Sequence, residues 1–160
     1  MLEEIRKEAV SVTLNVFETM LFTFLEPRGE EKAKDLSFPG SGPVFLRGEI
    51  GFGGSRSGKL SLTLPLDPAR KMASNFMGLE EEMASESQAI DLVNELCNMI
   101  CGNLSSRLAQ LDRTVAWNLA IPGTRLLSRQ EMEREGRRPG VEVDFDADGE
   151  WVNLNIQFDG

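Results

Sequence analysis

The sequence contains no histidine. That absence excludes the common His-containing zinc sites. It also excludes Ser-His-Asp and Cys-His catalysis. Cysteine is scarce: Cys97 and Cys101 are the only two, too few for a disulfide framework or a closed four-cysteine metal site. The expected compartment is therefore the cytoplasm. Positive charge is short as well, with 17 Lys and Arg against 26 Asp and Glu, a net charge of −9. A duplex-binding protein needs cations to displace counterions from phosphates, so nucleic acid is not an expected partner, and neither is an anionic membrane surface. A partner with a positive rim suits this balance better. No run of about 20 apolar residues occurs, so no membrane insertion is expected. The acidic start Met1, Leu2, Glu3, Glu4 lacks the basic and apolar regions of a secretory signal. The chemistry left open runs on carboxylates, amides, hydroxyls, backbone groups or a partner's equipment.

The 160 residues, 41% hydrophobic and 27% charged, are expected to form one domain, residues 1–160. Apolar residues at Ile5, Val10, Val12, Leu14, Phe17, Met20, Leu21 and Phe24 predict a helix from Leu2 to about Phe24, stopped by Pro27 and Gly29. Arg28 to Pro43 reads as a loop. Val44–Phe52 and Lys59–Leu64 predict a hairpin around a glycine-rich turn. That turn lacks the Lys-Ser/Thr ending of a phosphate-binding loop and precedes a strand, so no phosphate cradle is expected there. A helix is predicted from an Asp67 N-cap and Pro68 to Gly78, with Met72, Phe76 and Met77 as core. The acidic run Glu80 to Glu82 reads as a solvated lead into a long helix from Glu86 to Leu111. Val115 to Ile121 predicts a strand ended by Pro122 and Gly123. Ser128 and Glu131 predict a capping box opening a short helix. Val141–Asp146 and Trp151–Phe158 predict a second hairpin around Asp148 and Gly149. The fold class is α+β: an antiparallel sheet with two long helices and a shorter one packed on one face. A long helix followed by strands occurs twice in this order, without a repeat at the level of residues.

On the long helix, each residue advances about 100°. Ala89, Leu92, Val93, Leu96, Ile100 and Leu104 gather on one side. Asp91, Glu95, Asn98 and Gly102 gather within about 40° of the Asp91 direction, nearly opposite. Gly102 costs about 1 kcal/mol against alanine inside a helix, which suggests that something approaches closely there. Polar residues opposite an apolar face are common to surface helices. Glu-x-x-Asn is a short motif and recurs at Glu150 and Asn153, in a predicted strand where the two side chains would point to opposite faces. Spacing alone therefore leaves the stripe open between a solvated face and a functional one.

The stretch from Asn75 to Leu104 resembles the signature region of the CheC/CheX/FliY phosphatases of bacterial chemotaxis. The family motif is Asp or Ser, three residues, Glu, two residues, Asn, and a proline after some 22 more. Asp91, Glu95 and Asn98 match it, with Pro122 one residue later than that spacing. Met99, Ile100, Cys101, Gly102 and Asn103 look like the sequence that follows this asparagine in CheX members. The preceding hairpin, with Gly48 and Gly58, and the short helix closed by Gly78 also look like CheX. The first helix offers Glu18 but Leu21 three residues later, and one site per chain is a CheX feature.

The resemblance implies a CheC/CheX-like fold and a phosphatase acting on the aspartyl phosphate of a CheY-like response regulator. It implies Asn98 as the residue that positions an in-line water. It implies Glu95 as the partner of the regulator's lysine, and Asp91 and Gly102 as partner-binding residues. Helix N-terminal electrostatics would explain Asp91 equally well. Asn103 is expected nearer the core, as a buried amide. No cofactor is expected in this chain, because the Mg²⁺ is carried by the partner. A homodimer is expected, since family members join strands across subunits and the strand Trp151 to Phe158 would make an apolar free edge. Cys97 and Cys101 are expected to be structural thiols. The alternative on the same fold is a non-catalytic scaffold that binds a receiver domain, like flagellar switch components. A ligand-binding module is a third reading, for which no convergent polar pocket is visible in the sequence.

Overall fold

A computed structural model describes residues 2–28, 42–79 and 83–159. The elements in chain order are α1 (Leu2–Leu21), β1 (Leu25–Pro27), β2 (Val44–Gly54), β3 (Gly58–Pro65), α2 (Leu66–Met77), α3 (Glu86–Leu111), β4 (Trp117–Leu119), β5 (Gly123–Ser128), α4 (Arg129–Glu135), β6 (Val141–Ala147) and β7 (Glu150–Phe158). The strands form one antiparallel sheet in the order β1-β6-β7-β3-β2-β4, with β5 also paired to β2. This is the expected α+β architecture. Most of the predicted loop from Arg28 to Pro43, and the acidic run Glu80 to Glu82, lie outside the described residues.

Strand alternation builds the two faces. One face carries Leu46, Ile50, Leu60, Leu62, Leu64, Val143, Phe145, Val152, Leu154 and Ile156, all buried beneath α1, α2 and α3. The opposite face holds a smaller cluster of Phe45, Leu127, Met132 and Trp151 under α4. Beside it lies a buried polar network. Arg47 Nη1 donates to both carboxylate oxygens of Glu135 at 2.7 and 2.8 Å, and its Nε donates to Thr63 at 2.8 Å. Asn153 donates to Asp144 at 2.9 Å and accepts from Arg138 at 3.0 Å. Every buried side-chain polar atom among the described residues has a partner, which is the condition for burying such groups without a large penalty. Asn153 is therefore structural, and its Glu-x-x-Asn match is the decoy that its strand position suggested.

Several local expectations are corrected. α1 stops at Leu21 rather than Phe24, because Phe22 turns into the left-handed region (φ 50°) and the chain enters β1, which contains Pro27. Asp67 is not a cap: α2 starts at Leu66 behind Pro65, with no side-chain cap, while Gly78 ends it at φ 72°. Met72 is core, but Phe76 and Met77 are exposed. The strand predicted over 115–121 is only Trp117–Leu119, and β5 follows the supposed stop at Pro122 and Gly123. The Ser128–Glu131 capping box is present, but α4 packs on the sheet face away from the long helices. β7 is not an edge. It lies between β3 and β6, so its apolar alternation gives no argument for a dimer.

The twice-repeated order is realised in the sheet. Exchanging β1 with β4/β5, β2 with β6 and β3 with β7 reverses the strand order onto itself. A pseudo-twofold axis thus passes between β3 and β7 and relates α1 to α3.

α3 can lie close on β2 because position 48 has no side chain. A Cβ at Gly48 would stand 2.6 Å from Val93 Cγ1 and 2.7 Å from Cys97 Sγ. Ordinary packing leaves no room for it. Gly48→Ala should lower stability by about 1–3 kcal/mol, the usual cost of overpacking. The measurement is urea unfolding, with a lower midpoint at unchanged slope. An unchanged midpoint would contradict this account of the seat.

Candidate active site

α3 opens with a complete capping box. Ser85 Oγ accepts from Gln88 N–H at 3.1 Å, and Gln88 Oε1 accepts from Ser85 N–H at 2.8 Å. The helix then buries Ala89, Leu92, Val93, Leu96, Cys97, Ile100, Cys101, Leu104 and Leu108. Val93 and Cys97, the two residues seated on Gly48, both lie about 160° from Glu95 on the helical wheel, and about 140° and about 100° from Asn98. The contact with β2 therefore turns Asp91, Glu95 and Asn98 outward, and all three are exposed. Thr124 of β5 steadies the flank, its hydroxyl donating to Asn94 Oδ1 at 2.6 Å.

None of the Asp91, Glu95 and Asn98 side chains makes a hydrogen bond or ion pair among the described residues. The next turn of the stripe is Gly102, half-buried. A Cβ there would meet only Leu119 Cδ1 at 3.7 Å, an ordinary contact. This chain's own packing thus does not demand glycine at 102. Asn103 is exposed rather than buried, which corrects its expected place near the core. Glu95 and Asn98 lie one turn apart, so their Cβ atoms are about 5–6 Å apart. Together they offer an anion beside a carboxamide that both donates and accepts hydrogen bonds. Among the described residues no three Cys, Asp or Glu side chains converge as a metal site. No described helix is long and apolar enough to cross a membrane.

The pseudo-twofold relation exposes a feature the sequence reading missed. At constant offset, Ala9, Val12, Val16, Phe17 and Leu21 of α1 match Ala89, Leu92, Leu96, Cys97 and Cys101 of α3, and all are buried. The same offset places Ser11, Asn15 and Glu18 where α3 has Asp91, Glu95 and Asn98. Amide and acid are both present on α1, but in reversed order. The signal was legible once the two helices were aligned on their buried positions rather than searched for a motif.

A family model described as chemotaxis phosphatase CheX matches residues 47–146. The chain belongs to the CheX family. The whole chain also shares the fold of solved members. A CheX from Desulfovibrio desulfuricans superposes with a TM-score of 0.72 at 18% identity, over 98% of this chain and 99% of that one. A CheX from Vibrio vulnificus gives 0.72 at 19% identity over 99% of each. A CheX-CheY-BeF3-Mg²⁺ complex from Borrelia burgdorferi gives 0.68 at 17% identity, over 96% of this chain and 97% of that one. No curated protein sequence matches this CheX chain.

The two thiols beneath the site are inert by position. Burial pushes Cys97 and Cys101 from the ordinary value near 9 up to about 12. Reactive cysteines are exposed thiolates, and these are neither. Below about pH 9 both are protonated in folded and unfolded chains alike, and their contribution to stability is complete. Above it, unfolded thiols ionise while the buried ones do not. Stability should therefore fall as pH rises from about 9 towards 12, and fall less in Cys97→Ala/Cys101→Ala. Urea midpoints of the two proteins across that range test this, and parallel curves would contradict it.

Proposed function

We propose that this CheX chain hydrolyses the aspartyl phosphate of a CheY-like response regulator. The observation that carries the reading is the exposed Glu95/Asn98 pair, matched to the family motif and left without partners among the described residues. The likeness of fold to a CheX seen together with CheY supports a receiver domain as partner.

In the proposed step, water attacks phosphorus on the side opposite the aspartyl oxygen. The new P–O bond forms as the acyl P–O bond breaks, releasing inorganic phosphate and restoring the regulator's carboxylate. The chain needs no nucleophile or general base, because alignment and charge stabilisation supply most of the acceleration in phosphoryl transfer. Asn98 reaches into the partner's site and holds the water, its carbonyl accepting from the water and its N–H₂ donating. Glu95, one turn away, pairs with the regulator's lysine and fixes the register. The partner brings the Mg²⁺. Asp91 and Gly102 form the rim, and Gly102 leaves room for the partner's backbone. On α1, a partner docked in the same way would meet Asn15 in place of the acid and Glu18 in place of the amide. A carboxylate against a phosphoryl group repels, so the pseudo-symmetry supports one working site per chain.

Asn98→Ala should reduce phosphate release from a phosphorylated receiver by about a hundredfold or more, the scale of losing one positioned hydrogen-bonding group. Its fold and thermal midpoint should be unchanged, because the side chain is exposed. Equal release with wild type, variant and buffer would defeat the catalytic reading. Binding without acceleration by the wild type would assign the chain to the scaffold alternative instead.

We also propose that the chain forms a homodimer through a sheet edge. Among the described residues the sheet edges are the three-residue β1 on one side and β4 with β5 on the other. Leu126 of β5 is 44% exposed there, an apolar edge residue of the kind that invites pairing. Light scattering on a size-exclusion peak should give twice the chain mass. A monomer mass would remove the proposal.

A further inference from the structure

The segment joining β4 to β5 runs beside α3, fastened at two points. Leu119 stands against the Gly102 turn, and Thr124 bonds Asn94. On the helix Asn98 lies midway between Asn94 and Gly102. In the chain Ile121 and Pro122 lie between Thr124 and Leu119. The stretch from Ala120 to Pro122 therefore passes alongside the Asn98 turn.

That stretch is a β-bulge. Leu119 pairs with Phe52, and Gly123 pairs with Glu49. Between those rungs β2 supplies Ile50 and Gly51, while the facing strand supplies Ala120, Ile121 and Pro122. One residue is extra. Ala120 keeps a ladder bond, its N–H donating to Gly51 C=O at 2.9 Å. Pro122 has no N–H to give. Bulges re-aim side chains, and here the result is Ile121 at 92% exposure, the highest value among the exposed large apolar side chains described. Leu119, at 36%, continues the apolar surface to Gly102.

A lone exposed isoleucine is ordinary on a protein surface. Its place beside an exposed amide, on a bulge fastened at both ends to the helix that carries that amide, is not. We infer that Ile121 is the apolar anchor that seats the receiver domain over Glu95 and Asn98. This rests on the phosphatase reading. Charge favours the receiver as occupant: α3 carries Glu86, Asp91 and Glu95 and no cation before Arg107, which complements a partner site holding Mg²⁺ and a lysine. Exposed ion pairs alone hold proteins together weakly. A central apolar residue that becomes buried supplies the affinity that the polar pair lacks.

The test compares wild type, Ile121→Asp and Ile121→Leu on a CheY-like receiver phosphorylated with acetyl phosphate and Mg²⁺. KM, kcat and light-scattering mass are measured for each. Ile121→Asp should raise KM about tenfold or more, as expected for loss of one buried aliphatic side chain. Its kcat should stay within about twofold, since uniform binding is what is lost. Ile121→Leu should retain the wild-type KM, and the mass should not change. A wild-type KM in Ile121→Asp would overturn the inference. A halved mass would also overturn it, by making Ile121 a contact between copies. A wild type that fails to accelerate phosphate release defeats the phosphatase reading itself and takes the inference with it. That result is distinct from an active wild type with an indifferent Ile121→Asp.

Discussion

The contact of α3 with Gly48 fixes the geometry on which the site depends. A helix laid on a sheet can roll about its axis, and the roll decides which residues meet solvent. Here Val93 and Cys97 come too close to β2 for any side chain at position 48. The roll is thereby set, and Glu95 and Asn98 face away from the sheet. The capping box at Ser85 and the Thr124–Asn94 bond hold the helix against sliding and tilting. A residue whose proposed work is positioning must itself be positioned, and this seat does so without contacting either side chain.

The polar network on the opposite face supports the same rigidity. β2 is held on one side by the packing of α3 and on the other by Arg47, bonded to Glu135 and Thr63. Burial, together with the neighbouring charge of Arg47, lowers the Arg138 guanidinium below its ordinary value, while Glu135 and Glu142 oppose that shift. Charges of both signs therefore belong together there, and the network reads as sheet-holding structure. Asn153, for all its motif-like spacing, is part of it.

The long helix was legible in the sequence because nine buried residues on α3 recur at helical period and leave one polar stripe opposite. The family-like stretch from Asn75 to Leu104 then gave that stripe its proposed chemistry. Other features were not legible, for identifiable reasons. Alternation in Trp151 to Phe158 shows a strand but not whether it is central, because the pattern is the same when the polar face that carries Asn153 and Asn155 is buried, with Arg138 bonded to Asn153. β5 was hidden because Pro122 and Gly123 usually end strands, whereas here Pro122 closes a bulge and Gly123 opens the continuing edge strand. Phe24 extended the apolar pattern of α1 past its end, since periodicity does not register the single left-handed residue at Phe22. The relation of Asn15 and Glu18 to the α3 pair needed the sheet order, because the two helices share burial but not a motif.

In the proposed complex Asn98 enters the phosphoryl site of a receiver domain while Glu95 holds its lysine. A crystal structure of this chain with a beryllofluoride-activated CheY-like receiver and Mg²⁺ tests it most directly. The expected result is the Asn98 carboxamide within hydrogen-bond reach of the phosphoryl-like group or of a water in line with it, and Glu95 paired with the receiver's lysine. A complex in which α3 faces solvent, or in which the receiver docks on α1 instead, would contradict it.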